Sequence, residues 1–345
     1  MSIFGILTGG GDCPGLNAAI RAAARAFIAE GHEVVGIRNG WRGLAEDAIA
    51  PLTRNAVSGI LPRGGTILGT SGYNPYREDG AVRALLDTAR ALKIEGVVAI
   101  GGEGTLLTAC RLHADEGFPV VGVPKTIDND LAGTDVTIGF DTAVHVCTEA
   151  IDRLHTTAES HNRVMVVEVM GRNTGWIAAA SGIAGGADVI LVPEEPATIE
   201  DACEHVRRRH DAGRDFSIVV VAEGYALTRR TGEQDAPVVQ ELDAYGYARL
   251  GGIGSVVADE ITRQTGFETR VTVLGHVQRG GTPTARDRLI ATRLGLWAAE
   301  LAMAGTWGRM AAVRGDEIGD VSLEDATATR RGVPAGWIEA GRVVA

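Results

Sequence analysis

Lysine is almost missing from this sequence: Lys93 and Lys125 stand against 31 arginines. Such a chain is expected to use arginine wherever only positive charge is needed. A lysine then implies that a compact, flexible ammonium is wanted rather than a planar fork. Positive charge is itself in deficit, with a formal net charge of −11 and no basic stripe interleaved with aromatics, so nucleic-acid binding has no support. No apolar run reaches membrane-spanning length, which argues against a membrane protein. The opening MSIFGILTGG passes into a strand pattern without a charged region and cleavage site, and the expectation is a cytoplasmic protein. Cys13, Cys110, Cys147 and Cys203 form no C-x-x-C pair and are expected to be free thiols, neither disulfides nor zinc ligands. The first strand is followed by neither the G-x-G-x-x-G fingerprint nor a Walker loop, which leaves a Rossmann dehydrogenase without support.

What is present is an alternation. The 345 residues exceed what one core usually supports, so two domains are expected, and 45% hydrophobic with 22% charged residues suits an ordinary globular protein. Strand-length apolar runs fall at 3–8, 34–38, 96–100, 120–123, 164–169, 189–192, 218–222 and 271–274. Most are continuously apolar, as in strands buried on both faces of a parallel sheet. Amphipathic stretches at 17–30, 142–158, 200–212 and 255–264 read as helices between them, giving an α/β architecture. The first crossing between domains is placed near Phe140, and 225–247, polar and rich in turns, reads as a surface excursion.

Ligands of open α/β sheets collect beyond the carboxyl ends of the strands, so the residues there matter most. After the first strand comes TGGGDCPGLN, whose glycines let backbone approach a ligand and whose following helix offers N–H groups to a phosphate; a purely structural turn is the equal alternative. GGEGT follows the third run. Its Glu103 fits a helix cap and fits Mg²⁺ on a nucleotide phosphate equally well. PKTIDND follows the next run; Asp128 suits a general base and Lys125 a phosphate counter-charge, against the plainer option of a solvated turn. Arg172, Glu223, His276 and Arg279 close later strands, and arginines gathered there suggest a socket for a phosphorylated substrate.

Taken together, LTGGGDCPGLNAAIR, GGTILGT, IGGEGT, PKTIDNDLAGTDVTIGFDTA, TAESHNRVMVVEVMGR, AEG and RVTVLGHVQRGGTPTARDR resemble the phosphofructokinase A family, in order and spacing over nearly the whole chain, and its actinobacterial branch most of all. The resemblance implies two doubly wound, mostly parallel-sheet domains with the active site in the cleft between them. Residues 1–140 with about 278–328 would form the phosphoryl-donor domain, and 141–277 with about 329–345 the sugar-phosphate domain. It implies phosphoryl transfer to the 1-hydroxyl of fructose 6-phosphate, with Asp128 as general base and Thr126 and Arg172 beside the transferring group. Gly11, Gly72, Tyr73, Gly102, Glu103, Gly104, Thr105 and Lys125 fall at the donor site, Glu103 being the Mg²⁺ ligand where the family usually has aspartate. Thr126, Ile127, Asp128, Met170, Gly171, Arg172, Glu223, His276, Val277, Gln278 and Arg279 fall at the sugar-phosphate site. Arg163 and Arg270 resemble arginines that reach a neighbouring subunit's substrate, which implies a homodimer or homotetramer. Arg21, Arg25, Arg54 and residues 185–188 resemble parts of a nucleotide effector site.

Two departures matter. Lysine at 125 is typical of pyrophosphate users in the family and glycine at 104 of ATP users, and this chain has both; ATP is favoured because Gly104 leaves space by the nucleotide's inner phosphate. Gly72 stands where the family usually places a phosphate-clamping arginine, with Arg77 a nearby substitute, and Asn173 is a lesser departure. A pyrophosphate-dependent transferase, a paralogue acting on another ketose phosphate, and a non-catalytic metabolite-binding subunit are the alternatives. Retained Asp128, Glu103 and Arg172 argue against the last.

Overall fold

The computed structural model describes residues 1–194, 197–235, 238–242 and 248–344. Two compact units divide the chain: Met1–Thr142 with Arg279–Arg330, and Ala143–Gln278 with Arg331–Ala345. The elements begin β1 (Ile3–Gly9), α1 (Leu16–Ala29), β2 (Glu33–Ile37), α2 (Trp41–Ala45), β3 (Ile49–Pro51), α3 (Ala81–Ala91), β4 (Ile94–Gly101), α4 (Glu103–Glu116) and β5 (Val120–Pro124). They continue α5 (Phe140–His161), β6 (Val164–Val169), α6 (Trp176–Ala184), β7 (Val189–Leu191), α7 (Ile199–Asp211), β8 (Ser217–Ala222), β9 (Val239–Leu242) and β10 (Ala248–Leu250). The last are α8 (Ile253–Thr265), β11 (Thr269–Val273), α9 (Ala285–Met303), β12 (Arg309–Arg314), β13 (Glu317–Ser322), α10 (Leu323–Ala328) and α11 (Ala335–Val344). Among the described residues no helix is long and apolar enough to cross a membrane.

The first unit carries a seven-stranded sheet in the order β13-β12-β5-β4-β1-β2-β3. Its inner pairings are parallel, and only the outer pairs β2–β3 and β12–β13 are antiparallel. The central strands are continuously apolar because both faces are covered: Ile6, Leu7, Val97 to Ile100, Val120, Val121 and Val123 are inaccessible to solvent. From β1 the chain winds outward to one side through β2 and to the other through β4 and β5. The switch point therefore lies between the carboxyl ends of β1 and β4, where a crevice opens. Gly9 pairs level with Gly101, and Gly101 with Pro124, so three loops leave the sheet at one height. The helix α9 packs along α1 so closely that a Cβ on Gly295 would stand 2.6 Å from the Ala19 carbonyl oxygen.

The second unit has a fully parallel four-stranded sheet, β11-β6-β8-β7, and a separate β9–β10 ribbon. Val166, Leu191, Val219, Val221, Ile199, Ile253 and Val257 form its core with the flanking helices. Three buried or half-buried carboxylates take the place of short polar caps at helix starts. Within the first unit Asp287 accepts from the Gly139 and Thr142 amides at the start of α5. Within the second, Glu168 accepts from Gly252 and Gly254 at the start of α8, and Glu194 from Gly175 before α6.

The stretch 225–247 departs from a surface excursion at its beginning. Tyr225 and Leu227 are wholly buried, and the Tyr225 hydroxyl donates to the Ala197 carbonyl at 2.7 Å. Residues 236–237 and 243–247 of that stretch lie outside the described residues. The four cysteines are unpaired.

Candidate active site

In the first unit the β1 loop turns at Gly10 (φ 77°) and reaches α1 through Gly15 (φ 109°). The 70s segment is laced to it: the Gly10 amide donates to Ser71 O (2.9 Å) and Thr70 Oγ1 to Gly10 O (2.5 Å). Gly72, exposed, follows directly, and Arg77 is exposed in the short turn Pro75–Arg77. The ring of Tyr73 lies under the Arg42 guanidinium at 5.3 Å, and its hydroxyl donates to Glu78 Oε2 (2.8 Å). Burial, and then that bond to a carboxylate, push the Tyr73 phenol up to about 12.

Lys125 is placed differently from a solvent-facing phosphate ligand. It is 2% exposed, and its ammonium donates to Gly9 O (2.9 Å) and Gly11 O. Burial is the main cause that pulls its pKa down to about 8. The lysine thus holds the carbonyls of the glycine-rich turn from beneath. Arg279 also comes to this loop, Nη1 donating to Asp12 O at 3.2 Å, where a Cβ on Gly11 would meet that nitrogen at 2.5 Å. It begins the returning segment of the first unit, whereas His276, Val277 and Gln278 belong to the second.

Glu103 opens α4 after Gly102, with Gly104 exposed on the same first turn and Thr105 buried behind it. Trp41 Nε1 donates to Thr105 O (3.2 Å) and fixes that turn from the core side. The Glu103 Oε2 atom accepts from Arg330 Nη2 (3.0 Å) and Nε (3.2 Å). In the next loop Asp128 is half-buried, and its amide donates to Thr126 Oγ1 (3.1 Å). Asn129 beside it takes a left-handed backbone (φ 50°) and accepts the Thr137 amide at 3.0 Å. Ile127 points into the core and is inaccessible. Asp130, 8% exposed, is pushed up to about 6 by burial first, then by the negative charges of Asp128 and Glu103, with Arg330 opposing. The three carboxylates and Arg330 therefore share one electrostatic neighbourhood. No cluster of three His, Cys, Asp or Glu ligands occurs among the described residues. A partly exposed Glu103 carboxylate fits Mg²⁺ held mainly by a donor's phosphate oxygens and water, not a cage of protein ligands.

In the second unit the residues after β6, β8 and β11 come together because those strands are neighbours. Val169 pairs with Ala222, and the Glu223 amide donates to Val169 O at 2.8 Å. Gly171 takes φ 143° between Met170 and Arg172, and the Gly224 amide donates to Gly171 O (3.1 Å). Gln278 is wholly buried: Oε1 accepts the Met170 amide (3.2 Å) and Nε2 donates to Gly275 O (3.0 Å). It therefore positions the Met170 loop against the His276 turn, with Val277 exposed above. Arg163 and Arg270 are not at this end. Arg163 directly precedes β6 and Arg270 is the second residue of β11, at the opposite ends of those strands, and they share one partner, Glu268, with Arg163 Nη2 at 2.9 Å from Oε1. Of the effector-like residues, Arg21, Arg25 and Arg54 lie in the first unit and 185–188 in the second, where Asp188 is paired with Arg209 at 2.8 Å.

Sequence reasoning missed Asp287, Arg330 and the bracing role of Gln278. Nothing local marks Arg330, which is 227 residues from Glu103.

Glycine turns at a switch point, cations behind them and carboxylates before them are the equipment of a phosphotransferase. Comparison with known proteins narrows that class. The phosphofructokinase family model matches residues 3–302. The chain is 54% identical over 342 residues to the pyrophosphate–fructose 6-phosphate 1-phosphotransferase of Streptomyces coelicolor, covering 98% of each. It is 52% identical to that organism's ATP-dependent 6-phosphofructokinase 3, covering 96% of each. Among solved structures it resembles phosphofructokinase from Saccharomyces cerevisiae with a TM-score of 0.82 and 31% identity, covering 95% of this chain and 45% of the yeast chain. The chain belongs to the phosphofructokinase family.

Proposed function

We propose that this protein is an ATP-dependent 6-phosphofructokinase, transferring the terminal phosphoryl group of ATP to the 1-hydroxyl of fructose 6-phosphate in the cytoplasm. Met170, Gly171, Arg172, Glu223 and His276 hold the sugar phosphate, with Gln278 bracing them. Asp128 takes the proton of the attacking hydroxyl, and Thr126 and Arg172 serve the transferring group. Gly11, Gly102 and Thr105 form the donor cradle, which Lys125 and Arg279 support from behind. When bound with the donor at Glu103, Mg²⁺ supplies charge neutralisation at the phosphate oxygens. Arg163 and Arg270 act toward a second copy in a homodimer or homotetramer.

The exposure of Gly104 on the first turn of α4 carries the choice of ATP, since no side chain there crowds or repels an inner phosphate. Pyrophosphate is the second reading, favoured by the presence of Lys125 and by the name of the Streptomyces coelicolor relative at 54% identity. A coupled assay with fructose 6-phosphate and ATP, pyrophosphate or no donor tests both. Turnover with pyrophosphate alone would overturn the first reading, and turnover with neither would leave the altered-substrate and non-catalytic alternatives.

A further inference from the structure

We propose that Arg330 is the resident counter-ion of Glu103, with which a divalent cation must compete to bind that carboxylate. The inference rests on the assignment of Glu103 as metal ligand and adds to it a positioning residue. Two nitrogens of one guanidinium engage the same oxygen, Oε2, at 3.0 and 3.2 Å. The arginine is delivered there by backbone: Arg330 forms an antiparallel bridge with Leu131, the residue directly after the Asp128–Asp130 carboxylates. Its anchoring is independent of its side chain, so the guanidinium can leave Glu103 while the main chain stays. Both side chains are partly exposed, 49% for Arg330 and 38% for Glu103, and such a pair is weak enough to exchange. Arginine keeps its charge at every working pH, so deprotonation of the guanidinium does not release the pair. Arg330 is also the last residue of the first unit before the chain enters the second.

Arg330 opposes the metal twice, by occupying Oε2 and by repelling a second positive charge. Its neutralisation should tighten metal binding about 3- to 10-fold. The experiment is Mn²⁺ binding to the full chain with the same saturating concentration of a non-hydrolysable ATP analogue in every sample and no sugar, read from the electron paramagnetic resonance of free Mn²⁺. Wild type is compared with Arg330→Gln, Arg330→Lys, Glu103→Gln and the double variant Arg330→Gln/Glu103→Gln. The expected result is tighter binding in Arg330→Gln, near wild-type binding in Arg330→Lys, weaker binding in Glu103→Gln, and no gain from Arg330→Gln once Glu103 is removed. A gain that persists in the double variant would overturn the proposal, because the arginine would then act as a general charge and not on Glu103. Weaker binding in Glu103→Gln with no gain in Arg330→Gln would overturn it while leaving Glu103 as ligand. Unchanged binding in Glu103→Gln would remove both.

Discussion

Asp128 occupies a segment whose backbone is held by Thr126, Thr137 and Asn129, so removing its charge leaves the scaffold in place. Asp128→Asn should lower kcat by roughly 10²–10⁴ with KM changed only a few-fold, since a general base acts in the transition state. Steady-state kinetics with fructose 6-phosphate check this, and a loss below about tenfold would end the assignment. Lys125 leads to a different experiment. Its ammonium braces Gly9 and Gly11, so in Lys125→Met the amides of the β1 loop should exchange with solvent at least several-fold faster. Unchanged exchange would show that the loop holds itself. The scarcity of lysine marked this residue in the sequence. Its burial was not legible there, because it depends on which way the loop carbonyls turn after β1, a matter of backbone conformation at Gly10.

At the scale of elements, the parallel strands were plain from their apolar runs, and each of the eight expected strands appears within a few residues of its place, though β11 is only partly buried. The β12–β13 pair was not, because β13 is a half-exposed edge strand whose sequence EIGDVS has no apolar run. Nor was α9, whose amphipathic signal is weak because it buries a broad, small-residue face on α1. That packing is tight enough to predict its failure. Gly295→Val puts a branched side chain against a helix backbone that cannot yield, and should destabilise by about 1–3 kcal/mol in chemical denaturation. The carboxylate caps were equally hidden, since each comes from a distant element. Asp287 is wholly buried and its carboxyl is pushed up to about 6, mainly by burial, from an ordinary 3.8. Its folded-state value lies above its unfolded one, so its contribution is fullest below about pH 4 and is lost as pH rises through about 6. Asp287→Asn should flatten the decline in unfolding free energy between pH 4 and 7. Denaturation curves across that range measure it, and an unchanged slope would place the titration elsewhere.

For the whole molecule, the position of Arg163 and Arg270 is informative. β6 is six residues long, so these arginines stand roughly 20 Å along the sheet from the Met170 end of their own chain. If they act on a second copy's substrate, an Asp128→Asn chain and an Arg270→Ala chain each lack a different part. Hybrids formed by co-expression should recover activity well above either variant alone, and activity equal to the average of the two would argue that each chain works by itself. The order of the chain has a further consequence, for synthesis. The first unit's opening segment precedes the second unit along the chain, yet α9 and β12, which cover α1 and pair with β5, come only after Arg279. As the chain emerges from the ribosome, β6, β8 and β11 are complete first, while β5 still presents an open strand edge and α1 an uncovered apolar face. The sheet of the first unit is therefore started before that of the second and completed after it, and the nascent chain is most exposed to wrong pairing in the interval between residues 124 and 310.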